Sequence, residues 1–263
     1  MKNFIIKDTS NWPTPMGELR IQWNDPDKMI LVVKHQQLTP FKEPNVYRWP
    51  KAIEEFFSER FDLLVNTWNL YNTLPPNPKI LDIGAGNSII DLFAAQYITD
   101  STFYLVDRNE FNISNFQWFS ENSQFYNDWS IVNDAIETSG LDKDRFNMLD
   151  PVDSWPAELD LITSFASWCN QYPFIEQYGY WEKVKQSLKV GGILCLDISN
   201  HALVNDPNMI NTINEVLGTP VQVVEYFPPT DVSDSYWRRD KNDTFLPGPN
   251  GSAGRYVKWI RRS

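Results

Sequence analysis

The sequence predicts an α/β domain on a doubly wound, mostly parallel sheet, and three observations carry that prediction. Strand-like apolar runs alternate with helix-period segments from Lys79 onward. One run, Lys79-Ile80-Leu81-Asp82-Ile83, passes straight into the glycine-rich turn Gly84-Ala85-Gly86-Asn87-Ser88, as a buried parallel strand entering a loop does. A second run, Thr102–Val106, ends in Asp107, where α/β nucleotide folds grip a ribose through its two hydroxyls.

Each element follows from local signals. Residues 1–44 are polar, proline-dotted and aromatic, with one predicted strand at 29–34, and His35 after it reads as a surface histidine. Pro50 opens an amphipathic helix carrying Ile53, Phe57, Phe61, Leu64, Trp68 and Tyr71 at threes and fours. Pro75, Pro76 and Pro78 end it. The chain is therefore divided into a cap segment with its helix, 1–78, and a ligand-binding domain, 79–263. Residues 88–97 read as the helix after the glycine turn, with Ile89, Leu92, Phe93 and Tyr97 on one face. Residues 109–128, carrying Phe111, Phe116, Trp118, Phe119, Phe125 and Tyr126, insert roughly 20 residues where such folds turn in about 2–6. Trp118 and its neighbours are expected to form a lid or acceptor wall, with an extra packing helix as the alternative.

A helix over 129–139 then leads to a strand over 145–149 that ends at Asp150, and a strand over 159–165 delivers Ser164, Phe165, Trp168, Asn170 and Tyr172. Pro173 is expected to open a helix with Phe174, Tyr178, Trp181, Val184 and Leu188 inward, closed by Gly191-Gly192. A strand over 193–198 exits through Asp197 toward His201. A helix over 206–217 stops at Gly218, and strands at 221–227 and 254–260 close the sheet around a proline- and glycine-rich excursion.

Glycine spacing arbitrates the cofactor. A dinucleotide fingerprint needs glycine at position 89, which is Ile89, and no Gly-Lys-Ser/Thr ending marks a phosphate loop. Asp82-Ile83-Gly84-Ala85-Gly86 resembles the first motif of the class I S-adenosylmethionine-dependent methyltransferases, an acid followed by Gly-x-Gly at the end of the first strand. That family often carries a third glycine at the place of Ser88. The resemblance implies a seven-stranded sheet with an antiparallel last strand, an N-terminal cap, and S-adenosylmethionine as cofactor with S-adenosylhomocysteine as product. It further implies that Gly84, Ala85 and Gly86 lie against the methionine part and that Asp82 orients the turn and the amino group. Asp107, with Arg108 beside it, would bind the ribose and Asp150 would face the adenine. Ser164 and Phe165 would reach the sulfonium end, and Trp168, Asn170 and Tyr172 the acceptor.

The expected reaction is methyl transfer to a small polar acceptor, most simply a sugar hydroxyl. An oxygen acceptor must lose its proton, and His201 or Asp197 is the candidate base. Nucleic-acid amino methyltransferases carry Asp/Asn-Pro-Pro-aromatic after the fourth strand, and Asn170-Gln171-Tyr172-Pro173-Phe174 departs from that spacing. The net charge of −11 also argues against a phosphate-chain partner. A nucleic-acid or protein methyltransferase, and a non-catalytic cofactor-binding scaffold, are the alternatives. No basic-plus-apolar leader and no membrane-length apolar run is visible, and Cys169 and Cys195 read as reduced thiols, so a cytoplasmic location is expected. Scattered Cys and His speak against a metal. The oligomeric state is left open.

Overall fold

The computed structural model describes residues 2–6, 9–24, 61–109, 128–165, 167–168, 179–198, 208–226 and 254–260. In chain order the elements are β1 (Lys2–Ile6), β2 (Leu19–Trp23), β3 (Lys79–Ile83), α1 (Ile89–Tyr97), β4 (Thr102–Val106), α2 (Trp129–Thr138) and β5 (Phe146–Leu149). There follow β6 (Leu159–Ser164), α3 (Tyr180–Ser187), β7 (Leu188–Ile198), α4 (Met209–Leu217), β8 (Gln222–Tyr226) and β9 (Gly254–Ile260). The larger sheet has seven strands in the order β5-β4-β3-β6-β7-β9-β8. β6 runs parallel to β3 and to β7, whereas β9 is antiparallel to both β7 and β8. The expected sheet is therefore present, with its last strand antiparallel. No helix among the described residues is long and apolar enough to cross a membrane.

The chain forms two compact units. The first comprises Met1–Pro78, Gly86–Tyr104 and Arg108–Met148, and the second Lys79–Ala85, Leu105–Asp107 and Leu149–Ser263. In the first, β1 and β2 make an antiparallel hairpin in a stretch for which the sequence predicts no strand. Its signal was the period-two run Leu19, Ile21 and Trp23, all buried. Side chains satisfy the backbone of β2. The Arg20 N–H donates to Gln96 Oε1 of α1 at 2.9 Å, and Gln96 Nε2 donates back to the Arg20 carbonyl at 2.8 Å. The Gln22 N–H donates to Ser139 Oγ at 2.9 Å. An edge supplied in this way has its polar groups paired. The apolar face expected after Pro50 is buried at Phe61, Leu64, Trp68 and Tyr71. There the helix loosens into a five-residue π turn, Leu63–Thr67, and Phe61 stacks on Tyr71 at 5.5 Å. The first part of that predicted helix and the strand predicted at 29–34 lie outside the described residues.

The entry to α1 explains a departure noted in the sequence. Ser88 precedes the helix with φ 55° and ψ 26°, in the left-handed region, and makes no side-chain cap bond. Its hydroxyl is buried and has no hydrogen-bond partner among the described residues. That backbone costs a non-glycine residue about 1 kcal/mol, and the unpaired hydroxyl costs about as much again. Glycine in turn loses roughly 0.5–1 kcal/mol more backbone entropy on folding. Ser88→Gly is therefore expected to stabilise the protein by about 1 kcal/mol net of these terms. A scanning-calorimetry midpoint that fell on substitution would contradict this account.

In the second unit, parallel pairing sets Ile80 beside Leu161, Leu81 beside Ile162 and Asp82 beside Thr163. Buried Asp160 anchors the strand starts. Its carboxylate accepts from the Lys79 N–H at 2.8 Å and pairs with Lys189. One boundary differs from expectation. The helix ends at Ser187, and Gly191-Gly192 lies inside β7 instead of closing the helix. The register between β6 and β7 slips between Leu159 and Leu161, so β7 bulges there. A Cβ on Gly192 would come within 2.9 Å of the Leu159 carbonyl and the Leu188 side chain, and Gly191 has φ +82°. Both glycines thus serve a bulge, which admits close backbone approach.

Candidate functional site

The ends of three strands are stitched together by backbone hydrogen bonds. After β3, the N–H groups of Gly84 and Ala85 donate to the Val106 carbonyl at the end of β4, at 2.7 and 3.2 Å. The next residue, Asp107, donates its N–H to the Leu149 carbonyl at the end of β5, at 3.1 Å. These bonds set Gly84, Ala85, Asp107 and Asp150 along one edge of the sheet, the carboxyl edge at which open α/β sheets bind ligands. Asp107 is half-buried and Asp150 exposed. Gly84 and Gly86 have φ of 73° and 54°, so both turn positions need the left-handed conformation that glycine takes without strain. Arg108 follows Asp107 and is half-buried.

Asp150 sits in a turn that holds itself. Its N–H donates to Asp153 Oδ2 at 2.8 Å, and its own Oδ1 accepts from the Val152 N–H at 3.0 Å. Lys183 of α3 closes the turn, Nζ donating to the Pro151 and Asp153 carbonyls at 2.7 Å each and lying 5.6 Å from the centre of the Trp155 ring. Partial burial pushes the Lys183 ammonium below the ordinary lysine value, while Asp153 and Asp150 pull it back up.

Deeper in the unit, Asp82 is buried and accepts a 2.6 Å hydrogen bond from the Thr163 hydroxyl on the next strand. The Ser164 hydroxyl donates to the Ile83 carbonyl at 2.9 Å and accepts from the Trp168 N–H at 3.0 Å. Ser164 thereby fastens the chain beyond β6 to the exit of β3. Phe165 is half-buried. Trp168 is buried in a ring cluster, 4.3 Å from Trp181 and edge-on to Tyr180 at 5.4 Å, with Tyr180 stacked on Trp155. Thr163 and Lys183 carry no signal of their own in the sequence, and Ser167 is expected only as one of the run that β6 delivers toward the sulfonium end. Their roles depend on strand register and on turns tens of residues away.

The other candidates are partly or wholly outside the described residues. Asp197 lies on β7 opposite Tyr256 of β9, but its side chain falls outside the description, as do His201, Asn170, Tyr172 and Trp118. For the aromatic insertion, only the two ends are described. Asn109 Oδ1 accepts from the Trp129 N–H at 3.1 Å, and Asp128 caps α2 through the Ser130 N–H at 2.8 Å. Asn109 and Trp129, which flank the insertion, therefore adjoin.

The two carboxylates suit a nucleoside at the Asp107 and Asp150 end, where each can accept from a diol or from an amino group. At the glycine turn the fit is different, because a Cβ built on Gly84 would meet Ser167 Oγ at 1.8 Å and Ser167 Cβ at 2.3 Å. The chain's own side chain fills that face.

No family model and no curated protein matches this sequence. Among solved structures it is similar to geranyl diphosphate C-methyltransferase from Streptomyces coelicolor, solved with S-adenosyl-L-homocysteine. The two are 12% identical, and the match covers 83% of this chain and 82% of that one with a TM-score of 0.52. A geranyl diphosphate methyltransferase solved with sinefungin gives 12% identity over 78% of each chain and a TM-score of 0.49. An rRNA methylase from Streptococcus thermophilus gives 12% over 78% of this chain and 96% of that one, with a TM-score of 0.44. The weight rests on the first match and on the strand order. The chain has the Rossmann-like fold of the class I S-adenosylmethionine-dependent methyltransferases.

Proposed function

We propose that this protein binds S-adenosylmethionine and transfers its methyl group to a small polar acceptor, most simply a sugar hydroxyl. The observation that carries the reading is the stitched edge, which sets a glycine turn, Asp107 and Asp150 at consecutive strand ends. On this reading Asp107, flanked by Arg108, accepts from the ribose hydroxyls and Asp150 accepts from the adenine amino group. Gly84, Ala85 and Gly86 border the methionine part, Asp82 stiffens their turn through Thr163, and Ser164 and Phe165 lie toward the sulfonium. When bound, the cofactor supplies a methyl carbon already made electrophilic by the sulfonium charge. The chain's contribution is then to orient an acceptor in line and exclude water. Trp118, Trp168, Asn170 and Tyr172 are the acceptor candidates, and Asp197 or His201 takes up the hydroxyl proton. The acidic balance of the whole chain favours a small acceptor over a nucleic acid, and we assign the protein to the cytoplasm.

Calorimetric titration of the full-length protein with S-adenosylmethionine and S-adenosylhomocysteine tests the reading. Micromolar binding of both is expected, with the product at least as tight as the substrate. Failure of the protein to bind either compound would overturn it. Binding followed by no mass shift in any polar acceptor offered would move the protein to the scaffold class.

A further inference from the structure

A glycine at a ligand-binding turn leaves a face without a side chain, and what fills that face decides how closely a ligand can approach. At Gly84 the occupant is Ser167. Its Oγ and Cβ lie 1.8 and 2.3 Å from where a Gly84 Cβ would be, far inside any real contact distance. Ser167 is held there by its neighbours. Three residues before it, Ser164 bonds the Ile83 carbonyl and the Trp168 N–H. One residue after it, Trp168 is buried against Trp181. The seat is therefore anchored on both sides, by a buried hydroxyl and by a buried ring.

We propose that Ser167 is a built-in occupant of the Gly84 face, and that it sets the affinity for the amino-acid end of the cofactor because that end must displace it. The inference rests on the cofactor reading above, which brings the methionine part to Gly84. Two groups cannot share one face of a glycine, so the ligand's amino-acid end and the Ser167 side chain compete. The nucleoside end, at Asp107 and Asp150, does not meet Ser167 in this competition. Ser167 is accordingly a specificity-setting residue, which discriminates between ligands with and without an amino-acid end.

The test compares Ser167→Gly, Ser167→Ala and wild type by calorimetry with two probes, S-adenosylhomocysteine and methylthioadenosine, which lacks the amino-acid end. Ser167→Gly is expected to tighten S-adenosylhomocysteine binding roughly threefold to tenfold, the order expected when one side chain no longer has to be moved and reordered. Methylthioadenosine binding should stay as in wild type. Ser167→Ala keeps the Cβ on the Gly84 face and should recover only a minor part of the gain. A second readout needs no ligand. Gly84→Ala should lower the melting temperature, and adding Ser167→Gly should restore the part due to overlap while leaving the part due to the left-handed backbone.

If Ser167→Gly weakens S-adenosylhomocysteine, or changes both probes alike, the inference is overturned and the cofactor reading stands. Strict additivity of Gly84→Ala and Ser167→Gly in the melting temperatures overturns it as well. If the wild type binds neither probe, the cofactor reading falls and takes this role of Ser167 with it.

Discussion

Asp107→Ala is expected to weaken S-adenosylhomocysteine binding about a hundredfold or more. A carboxylate accepting from both hydroxyls of a ribose makes two charge-assisted hydrogen bonds, each contributing about 1.5 kcal/mol or more, and tenfold in affinity is about 1.4 kcal/mol. The backbone role of residue 107 survives the substitution, because the bond to the Leu149 carbonyl uses the N–H and not the side chain. Asp107→Asn keeps the shape and one acceptor oxygen but loses the charge, so it should fall between the two. The dissociation constants and a thermal melt on the same samples decide the matter. If Asp107→Ala binds as tightly as wild type, the ribose is not held at the end of β4 and the assignment of that edge is wrong.

The second large effect is on stability. Arg145→Met is expected to destabilise the fold by about 2 kcal/mol, since a half-buried donor that serves several carbonyls leaves them only partly resupplied by water once it is removed. Arg145 donates through Nε to the Ser101 carbonyl at 2.9 Å, and its Nη2 is shared among the Ala95 carbonyl at 3.0 Å, the Ile98 carbonyl at 2.7 Å and Ser101 Oγ at 2.9 Å. These acceptors lie at the end of α1 and in the turn into β4, where the last helix carbonyls lack intrahelical partners and the Ile98 carbonyl is shared with the Ser101 hydroxyl. The guanidinium also lies 6.0 Å from the centre of the Phe103 ring, which stacks on Phe146 at 5.4 Å. Burial pushes its pKa below the ordinary arginine value, while Asp142 and Asp100 act in the opposite direction. A guanidinium remains charged throughout the working pH range all the same, so this contribution should not vary with pH. Arg145→Lys should recover only part of the loss, because an ammonium cannot reproduce the planar fork. The midpoint and slope of urea unfolding measure both variants. A shift in Arg145→Met no larger than that of an ordinary surface substitution would show that water replaces the fork.

Much of the fold was legible because its signals are local. β3, β4 and β9 lie at their expected bounds, since an apolar run closed by glycine, proline or an acid is written in adjacent residues. The positive φ at Gly84, Gly86 and Gly218 follows from glycine in a turn or after a helix. Ser88 shows the same logic from the other side, for the backbone there takes a glycine's conformation although the residue is serine. The hairpin of β1 and β2 was hidden by its polar, proline-dotted surroundings, even though Leu19, Ile21 and Trp23 alternate as a half-buried strand should. Gly191-Gly192 was ambiguous in itself, because the same pair can stop a helix or bulge a strand. Only the pairing of β7 with Leu159 decides between them.

By itself, then, the sequence determined which strand ends carry the glycine turn, Asp107 and Asp150. The tertiary structure alone decided what those groups touch. Thr163 reaches Asp82, Ser164 reaches the Ile83 carbonyl, and Ser167 covers Gly84, each across about eighty residues of chain. The physical reason is that strand direction and burial come from neighbouring side chains, whereas register comes from pairing. A slip of one residue between β3 and β6 would turn Thr163 to the opposite face and leave Asp82 with a different partner.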